Sequence, residues 1–545
     1  MLRKLRIVVA LFVGQFCLAQ TANDTIALID AVFTQYEASN PGCQLSVSRK
    51  GKLLYSKAFG MADLERNVAL TTNSIIEAGS VSKQFTAAAI LLLEQQGKLS
   101  LDDDVSKYVP ELPEYGSTIK LRHLIHHTSG LKDWGSIAAL TGWGRGTKFY
   151  TNDDALEIIE RQKQLNNKPG DEFIYSNSNF NLSAIIVLRV SGLSLADFTK
   201  KYIFEPAGMT NTQWRDDPNR IVKNRAIAYS KTETGYEINM PNEYVYGNGG
   251  LLTTTEDLLK WSDYYQNGKF GNPSLLSRQL ETEPLNDGKK NNYAAGLFMS
   301  EIRGKKYINH DGATAGYRSF LGTFPDLGLT FAFLSNSAET NSGQIANKLQ
   351  KIFIADVAQK NKAETKPKPQ KTVTLSAKRL NEVAGLYKVK SDGGLFHLQV
   401  DGNGLVLQEN GEKLKSLSST KFASESFVFD FTGDNGVFKN LRNNNEFAFE
   451  KIQEFKVSAS DLPQFEGKFS SDEAGATAII TVENDQLKIR LNANTIYTLK
   501  PNKTDAFTVD EMGGNLEFLR DSQRKVVAFK ISTARARNLV FGRSE

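Results

Sequence analysis

Ala78–Leu99 reads AGSVSKQFTAAAILLLEQQGKL. A glycine leads into a serine, and Ala87–Leu93 is then apolar without interruption. A helix that is apolar on every face is a buried one. Gly97 supplies the residue type that ends helices in the left-handed conformation. The stretch therefore predicts a buried helix with Ser80 at its mouth. Ser80 and Lys83 form the pattern S-x-x-K, and residues three apart share a helix face. A serine hydroxyl is a weak nucleophile until a neighbour takes its proton. Burial lowers the pKa of a lysine and can make it that neighbour, while the helix N-terminus offers N–H donors to an oxyanion.

S-x-x-K occurs five times, starting at Ser80, Ser117, Ser129, Ser418 and Ser522. Ser129 is followed by a glycine and the other three lie in polar segments, where a helix cap with a solvated lysine is the ordinary reading. Ser80 alone opens a long apolar run.

A chain of 545 residues is too long for one core, so two to four domains are expected. Arg3, Lys4 and Arg6 precede the apolar run Ile7–Val13, and Cys17-Leu18-Ala19 resembles a cleavage site, so residues 1–19 read as a secretory signal peptide. Its removal takes three basic and no acidic residues, lowering the net charge from +5 to +2. A near-neutral chain gives no reason to expect nucleic acid or an anionic membrane as partner. Cys43 is then the one cysteine left, which rules out an intramolecular disulfide. No later stretch has the roughly 18 apolar residues of a membrane span. The expected product is soluble and either periplasmic or secreted.

Along the chain, residues 23–39 have helical apolar spacing, and Cys43–Ser48 and Leu53–Phe59 read as a hairpin. His123, His126 and His127 have a spacing that could grip zinc, but no carboxylate or cysteine accompanies them at ligand spacing; packing and capping explain them better, and no metal or other cofactor is expected. Tyr175-Ser176-Asn177 lies between an extended run and an apolar helix, Leu182–Val190, where catalytic side chains are commonly placed. Gly247–Leu251 is a glycine loop leading to a threonine-capped helix. His310-Asp311-Gly312-Ala313 reads as a turn ahead of two strands, Ser319–Phe324 and Leu329–Ser335, with Gly312 allowing close approach to its backbone.

Residues 359–374 are rich in lysine and proline and read as a linker. Short alternating strands follow, and they repeat. Gly385 and Gly467, like Leu405 and Leu487, are 82 residues apart, so two β modules are expected over 375–457 and 458–545. Barrels of this size sometimes hold a small apolar ligand, though nothing in the sequence names one.

GSVSKQFTAAAI, LRHLIHHTSGL, PGDEFIYSNSN, GNGGLLTT and NHDGATAGY, in this order, resemble the serine β-lactamase and penicillin-binding-protein-like superfamily, specifically its class C, D-aminopeptidase and esterase branch. The resemblance covers about residues 25–357, and the trailing modules are similar to the paired eight-stranded barrels of D-aminopeptidases. It implies an α+β fold: an antiparallel sheet flanked by helices with an all-helical lobe over 20–358, the site lying between, then two antiparallel barrels. It implies Ser80 as acylated nucleophile, Lys83 as proton acceptor or relay, and Tyr175 as a general base kept anionic or poised by Lys83. Asn177 would hold the substrate amide, and His310 and Gly312 would line the site. Ala313 would share the oxyanion with the Ser80 N–H. His310 stands where many relatives carry the lysine of Lys-Thr-Gly, and a neutral imidazole does not attract an antibiotic carboxylate.

The reading favoured is hydrolysis of D-amino-acid amides, short peptides or esters, with a small molecule or short peptide as partner and the oligomeric state open. A β-lactamase and a slow, non-hydrolytic acyl-binding protein remain alternatives. An α/β-hydrolase would need G-x-S-x-G around its nucleophile, which Ser80 lacks. The similarity to D-aminopeptidases also implies a loop of the last module at the site, for which the glycine-containing turn Asp510–Asn515 is the candidate.

Overall fold

The computed structural model describes residues 25–360 and 372–544, apart from 37, 391–393, 410, 425, 442–445 and 454–456. The leader over 1–19 and most of the 359–374 linker lie outside the described residues.

The first domain is built on an antiparallel sheet of β1 (Cys43–Arg49), β2 (Lys52–Phe59), β3 (Phe298–Ile302), β4 (Lys305–Thr314), β5 (Tyr317–Phe324) and β6 (Leu329–Ser335), in the order β3-β4-β5-β6-β1-β2. Every residue of β6 is buried, as the apolar run LTFAFLS requires of a strand covered on both faces. On one face Leu45, Val47, Phe331 and Phe333 pack with Ile29, Phe33 and the helix carrying Ile345 and Leu349. On the other face lies a helical lobe.

The lobe is centred on α1 (Lys83–Gln95), buried from Lys83 to Leu93, which packs against α2 (Asn177–Ser191). Gly97 has φ +68°, the left-handed conformation that ends the run. Ser80 itself stands in a tight turn of 3-10 helix, Gly79–Ser82, leading into α1 rather than in the α-helix proper. α3 (Thr255–Gln266) is capped by Thr254, whose hydroxyl accepts from the Asp257 N–H at 3.2 Å.

Two differences from the sequence reading bear on the site. His310 is not in a turn but inside β4, paired with Leu321 of β5, while the β3 ladder reaches only its neighbour Asn309. The helix over Gly343–Val357 extends to Ser342–Lys360, and Val373 already donates to Ser416 of the next domain, so the linker is shorter at both ends.

The C-terminal region is two closed eight-stranded antiparallel barrels, running from Gly385–Val389 to Glu446–Ile452 and from Gly467–Ser471 to Leu539–Ser544. The repeat has a backbone cause. Gly385 (φ +146°) and Gly467 (φ +152°) open the two first strands, each where a Cβ would collide with a basic side chain, Lys451 or Arg543. A short helical segment precedes each, Ala377–Val383 and Ala459–Phe465, which the sequence did not announce. Rings fill the interiors: Phe396, Phe431 and Phe449 meet in the first barrel, and Phe469, Phe518 and Phe529 in the second.

The first barrel has its own apolar core, whereas the core of the second is continuous with that of the helical lobe. Lys132, buried in the lobe, pairs with Glu473 of the second barrel at 3.1 Å, and Asn492 donates to the Gly142 carbonyl at 2.7 Å.

Candidate active site

A cleft of about 780 Å³ opens between the sheet edge and the helical lobe, and Ser80, Tyr175, Asn177, His310, Gly312 and Ala313 all line it. Lys83 lies directly beneath, fully buried. The structure thus brings together Ser80, Lys83, Tyr175, Asn177, His310, Gly312 and Ala313, the residues that the resemblance placed in the site.

Close backbone approach holds Ser80 in place. The Ala78 carbonyl accepts from the Ser319 hydroxyl at 2.7 Å, and the Ala78 N–H donates to the Leu251 carbonyl at 2.8 Å. A Cβ at Gly312 would stand 2.2 Å from the Ala78 oxygen and 2.9 Å from the Ser80 nitrogen. A Cβ at Gly79 (φ +49°) would stand 2.8 Å from the Ala313 nitrogen. Both positions therefore need glycine for β4 to lie against the Ser80 turn.

Lys83 Nζ has three oxygen neighbours: Ser80 Oγ at 3.1 Å, Asn177 Oδ1 at 2.9 Å and the Asn248 carbonyl at 2.5 Å. Burial pushes its ammonium well below the ordinary lysine range, and the guanidinium charges of Arg145 and Arg535 push the same way. Asn177 is fixed by its own N–H, which donates to Asp133 at 2.7 Å, and Asn248 by its Oδ1, which accepts from Asn181 at 2.9 Å. The glycine loop thus contributes a carbonyl to the lysine, a role the sequence did not reveal.

Lys83 Nζ also lies 4.8 Å from the centre of the Tyr175 ring. Burial raises the Tyr175 phenol above its ordinary pKa, with the nearby Ser80 hydroxyl and Arg535 pulling only partly back. Its Oη makes no hydrogen bond of ordinary geometry. Burial thus weighs against the phenolate that the resemblance implied, and the Ser80 hydroxyl and Arg535 offset only part of that cost.

His310 is buried, and its imidazole is pushed down to about 4, burial outweighing the nearby Asp311. Its Nδ1 faces the Asp311 carbonyl at 2.6 Å and must donate there, so Nε2 accepts from the Tyr293 hydroxyl at 3.1 Å. Tyr293 went unnoticed in the sequence, where it lies in the unremarkable run Asn291-Asn292-Tyr293.

The three clustered histidines point to separate partners. His123 Nδ1 accepts from the Lys120 N–H at 3.1 Å, His126 Nδ1 faces the Tyr293 carbonyl at 3.1 Å, and His127 Nδ1 accepts from the Ser176 N–H at 3.2 Å. Among the described residues no group of three His, Cys, Asp or Glu could share a metal ion. His127 (φ +56°) brackets Tyr175: its carbonyl accepts from the Ile174 N–H at 3.0 Å, and its ring lies 4.2 Å from the tyrosine ring.

The second barrel does reach the cleft, but not through Asp510–Asn515. Asp510–Met512 is a short helical turn whose Asp510 pairs with Lys500 on the same barrel. The turn between Val526–Ser532 and Leu539–Ser544 delivers Arg535, whose guanidinium carbon lies 4.8 Å from the Tyr175 ring centre. The Arg535 carbonyl accepts from the Asp133 N–H and from Asn166 Nδ2, each at 3.0 Å.

A family model described as Beta-lactamase matches residues 29–355. The chain is 32% identical over 316 residues to "Penicillin-binding protein 4*" of Bacillus subtilis, covering 53% of this chain and 66% of that protein. It is 28% identical over 280 residues to a D-aminopeptidase of Gluconobacter oxydans, covering 51% of this chain and 52% of that one. These matches thus span between half and two thirds of the curated relatives. Among solved structures, the octameric penicillin-binding protein homologue from Pyrococcus abyssi superposes with TM-score 0.54 at 22% identity, covering 88% of this chain and 99% of that one, a likeness of fold. The sheet, the helical lobe and the match over most of their length place this chain in the Beta-lactamase family.

Proposed function

We propose that the chain is a serine hydrolase that forms an acyl intermediate on Ser80. The observation that carries this reading is the set of three neighbours around Lys83 Nζ. A neutral amine has two N–H groups and one lone pair. The Asn177 Oδ1 and Asn248 carbonyl can only accept, so they take the two N–H groups and leave the lone pair to the Ser80 hydroxyl. Burial favours that neutral amine, which makes Lys83 the proton acceptor.

In the reaction proposed, the Ser80 oxygen bonds to the substrate carbonyl carbon as its proton passes to Lys83. The Ser80 and Ala313 N–H groups stabilise the oxyanion. The bond to the leaving amine or alcohol breaks as a proton reaches it, with the neutral Tyr175 phenol as the donor and Lys83 restoring that proton. Water then attacks the ester by the reverse sequence and frees Ser80. Asn177 keeps its Nδ2 for the substrate carbonyl.

D-amino-acid amides, short peptides and esters are the proposed substrates, in keeping with the D-aminopeptidase similarity. His310, held neutral, offers no charge to an antibiotic carboxylate. The basic and apolar N-terminal run supports export to the periplasm or beyond.

Exposure to a fluorophosphonate followed by peptide mass mapping should place the adduct on Ser80, and Ser80→Ala should abolish it. Steady turnover of D-aminoacyl amides or p-nitrophenyl esters supports hydrolysis. A single burst of labelling without turnover supports an acyl-binding protein instead, and an adduct on Ser129 overturns the assignment.

A further inference from the structure

Four cationic side chains line the cleft: Arg145, Lys289, Lys290 and Arg535. Arg145 is paired with Glu243, and Lys289 with Asp287. Lys290 and Arg535 have no such pair among the described residues, and of these two Arg535 is the one beside Tyr175. The neighbour of Arg535 on the same turn, Arg537, takes up Glu172 at 3.1 Å. The Arg535 guanidinium carbon lies over the Tyr175 ring, 4.8 Å from the ring centre, and among the described residues its N–H groups make no hydrogen bond. The N–H donors of a guanidinium lie in its plane and remain free to grip an anion bidentately.

The placement is prepared by the backbone, not by the side chain. Asp133 and Asn166 donate to the Arg535 carbonyl, and the Arg537 N–H donates to Asn166 Oδ1 at 2.8 Å. Asp133 also holds the Asn177 N–H, so the turn carrying Arg535 is tied to the same carboxylate-bearing residue that fixes the site. A cation held this firmly beside Tyr175, with no counter-ion of its own, suits an anion brought by the substrate.

We propose that Arg535 binds a carboxylate on the Tyr175 side of Ser80, so that the second barrel selects short peptides ending in a free carboxylate close to the scissile bond. The inference rests on the Ser80 hydrolase reading, in which Tyr175 faces the leaving group. It narrows the substrates from amides, peptides and esters in general to peptides whose leaving group is an amino acid or a short peptide with its C-terminus free. It also gives the barrel a task in recognition that its ring-filled interior does not suggest.

The test uses the full chain and a panel of D-aminoacyl dipeptides, each as free acid and as C-terminal amide. Two quantities are read: kcat/KM, and the concentration that protects Ser80 from fluorophosphonate labelling. The free acid should be preferred by about tenfold or more in the native chain, as a charge-assisted bidentate contact supplies. Arg535→Ala should collapse the acid-to-amide ratio to within about twofold, Arg535→Lys should keep part of it, and Arg535→Glu should invert it. The anchoring carbonyl is untouched by all three substitutions. A ratio near one in the native chain, or one that survives Arg535→Ala, overturns the proposal while leaving the hydrolase reading intact. Failure of Ser80 to label overturns the hydrolase reading, and this inference with it.

Discussion

Asn177 presents an uncharged oxygen to Lys83 Nζ at 2.9 Å, so a buried amine meets an acceptor that does not favour its protonation. Asn177→Asp puts a charge on that acceptor and also removes the Nδ2 donor offered to the substrate, so the pH dependence rather than the rate alone is diagnostic. A carboxylate there favours the ammonium and raises the lysine pKa, and an ammonium has no lone pair for the Ser80 proton. Acylation by a p-nitrophenyl ester should fall at least tenfold at pH 7, and the acidic limb of kcat/KM should move upward by a unit or more. A lower rate with an unmoved limb would show that Lys83 is not the base.

His127 holds the backbone on both sides of Tyr175, through its carbonyl at Ile174 and its Nδ1 at Ser176. It does so at φ +56°, a conformation that asparagine tolerates far better than alanine. His127→Ala removes the ring acceptor and adds strain. It should lower kcat for ester hydrolysis about tenfold or more with little change in KM. His127→Asn supplies an Oδ1 near the position of Nδ1 and should recover most of that loss. Equal damage from both variants would assign His127 to packing alone.

Features that rest on local periodicity were legible in the sequence. The apolar run of α1, the alternating strands and the 82-residue repeat each carry their burial pattern in adjacent residues. His310 was misplaced because His-Asp-Gly-Ala is composed like a turn, while its strand character comes from pairing along β5, a partner the local composition does not show. Tyr293 and Arg535 were missed because each matters only through a contact distant in sequence. The rule that seeks glycine and acidic residues chose Asp510–Asn515, whereas Thr533–Asn538, the turn that reaches the cleft, contains no glycine.

Four of the five histidines, His123, His126, His127 and His310, are held below their ordinary pKa, each chiefly by burial. The unfolded chain binds protons at these sites from about pH 6.5 downward, whereas folded His123 and His310 refuse them until about 4. Stability is therefore complete above pH 6.5 and is lost as pH falls towards 4. Four such groups give a slope of up to about 5 kcal/mol per pH unit in that window. Urea unfolding at pH 7, 6 and 5 checks this. His123→Asn keeps an acceptor for the Lys120 N–H and should flatten the slope by about one proton. A slope that the variant leaves alone would assign the acid sensitivity to carboxylates.

Glu473 is the charge that ties the second barrel to the helical lobe of the first domain. Its carboxylate pairs with Lys132, whose side chain is 1% exposed, and its carbonyl accepts from Gln162 Nε2 at 2.7 Å. Removing one partner of such a pair leaves a buried charge without compensation, which costs far more than the pair itself contributes. Glu473→Ala should therefore destabilise the full chain by on the order of 3 kcal/mol. Replacing both partners, Lys132→Met with Glu473→Leu, should restore most of that stability, because two apolar groups of similar size fill the space without a stranded charge. The same contact bears on truncation. A chain ending near Ala358 loses Glu473 together with the apolar surface that the barrel shares with the lobe. A linker at 359–374 followed by two repeated modules would by itself suggest that such a chain folds independently; the continuous core predicts instead a lower melting temperature and slower labelling of Ser80. Thermal melts and fluorophosphonate rates for the full chain, the two variants and the truncated chain decide the matter. A truncated chain as stable and as reactive as the full one would show that the shared core adds nothing to the first domain.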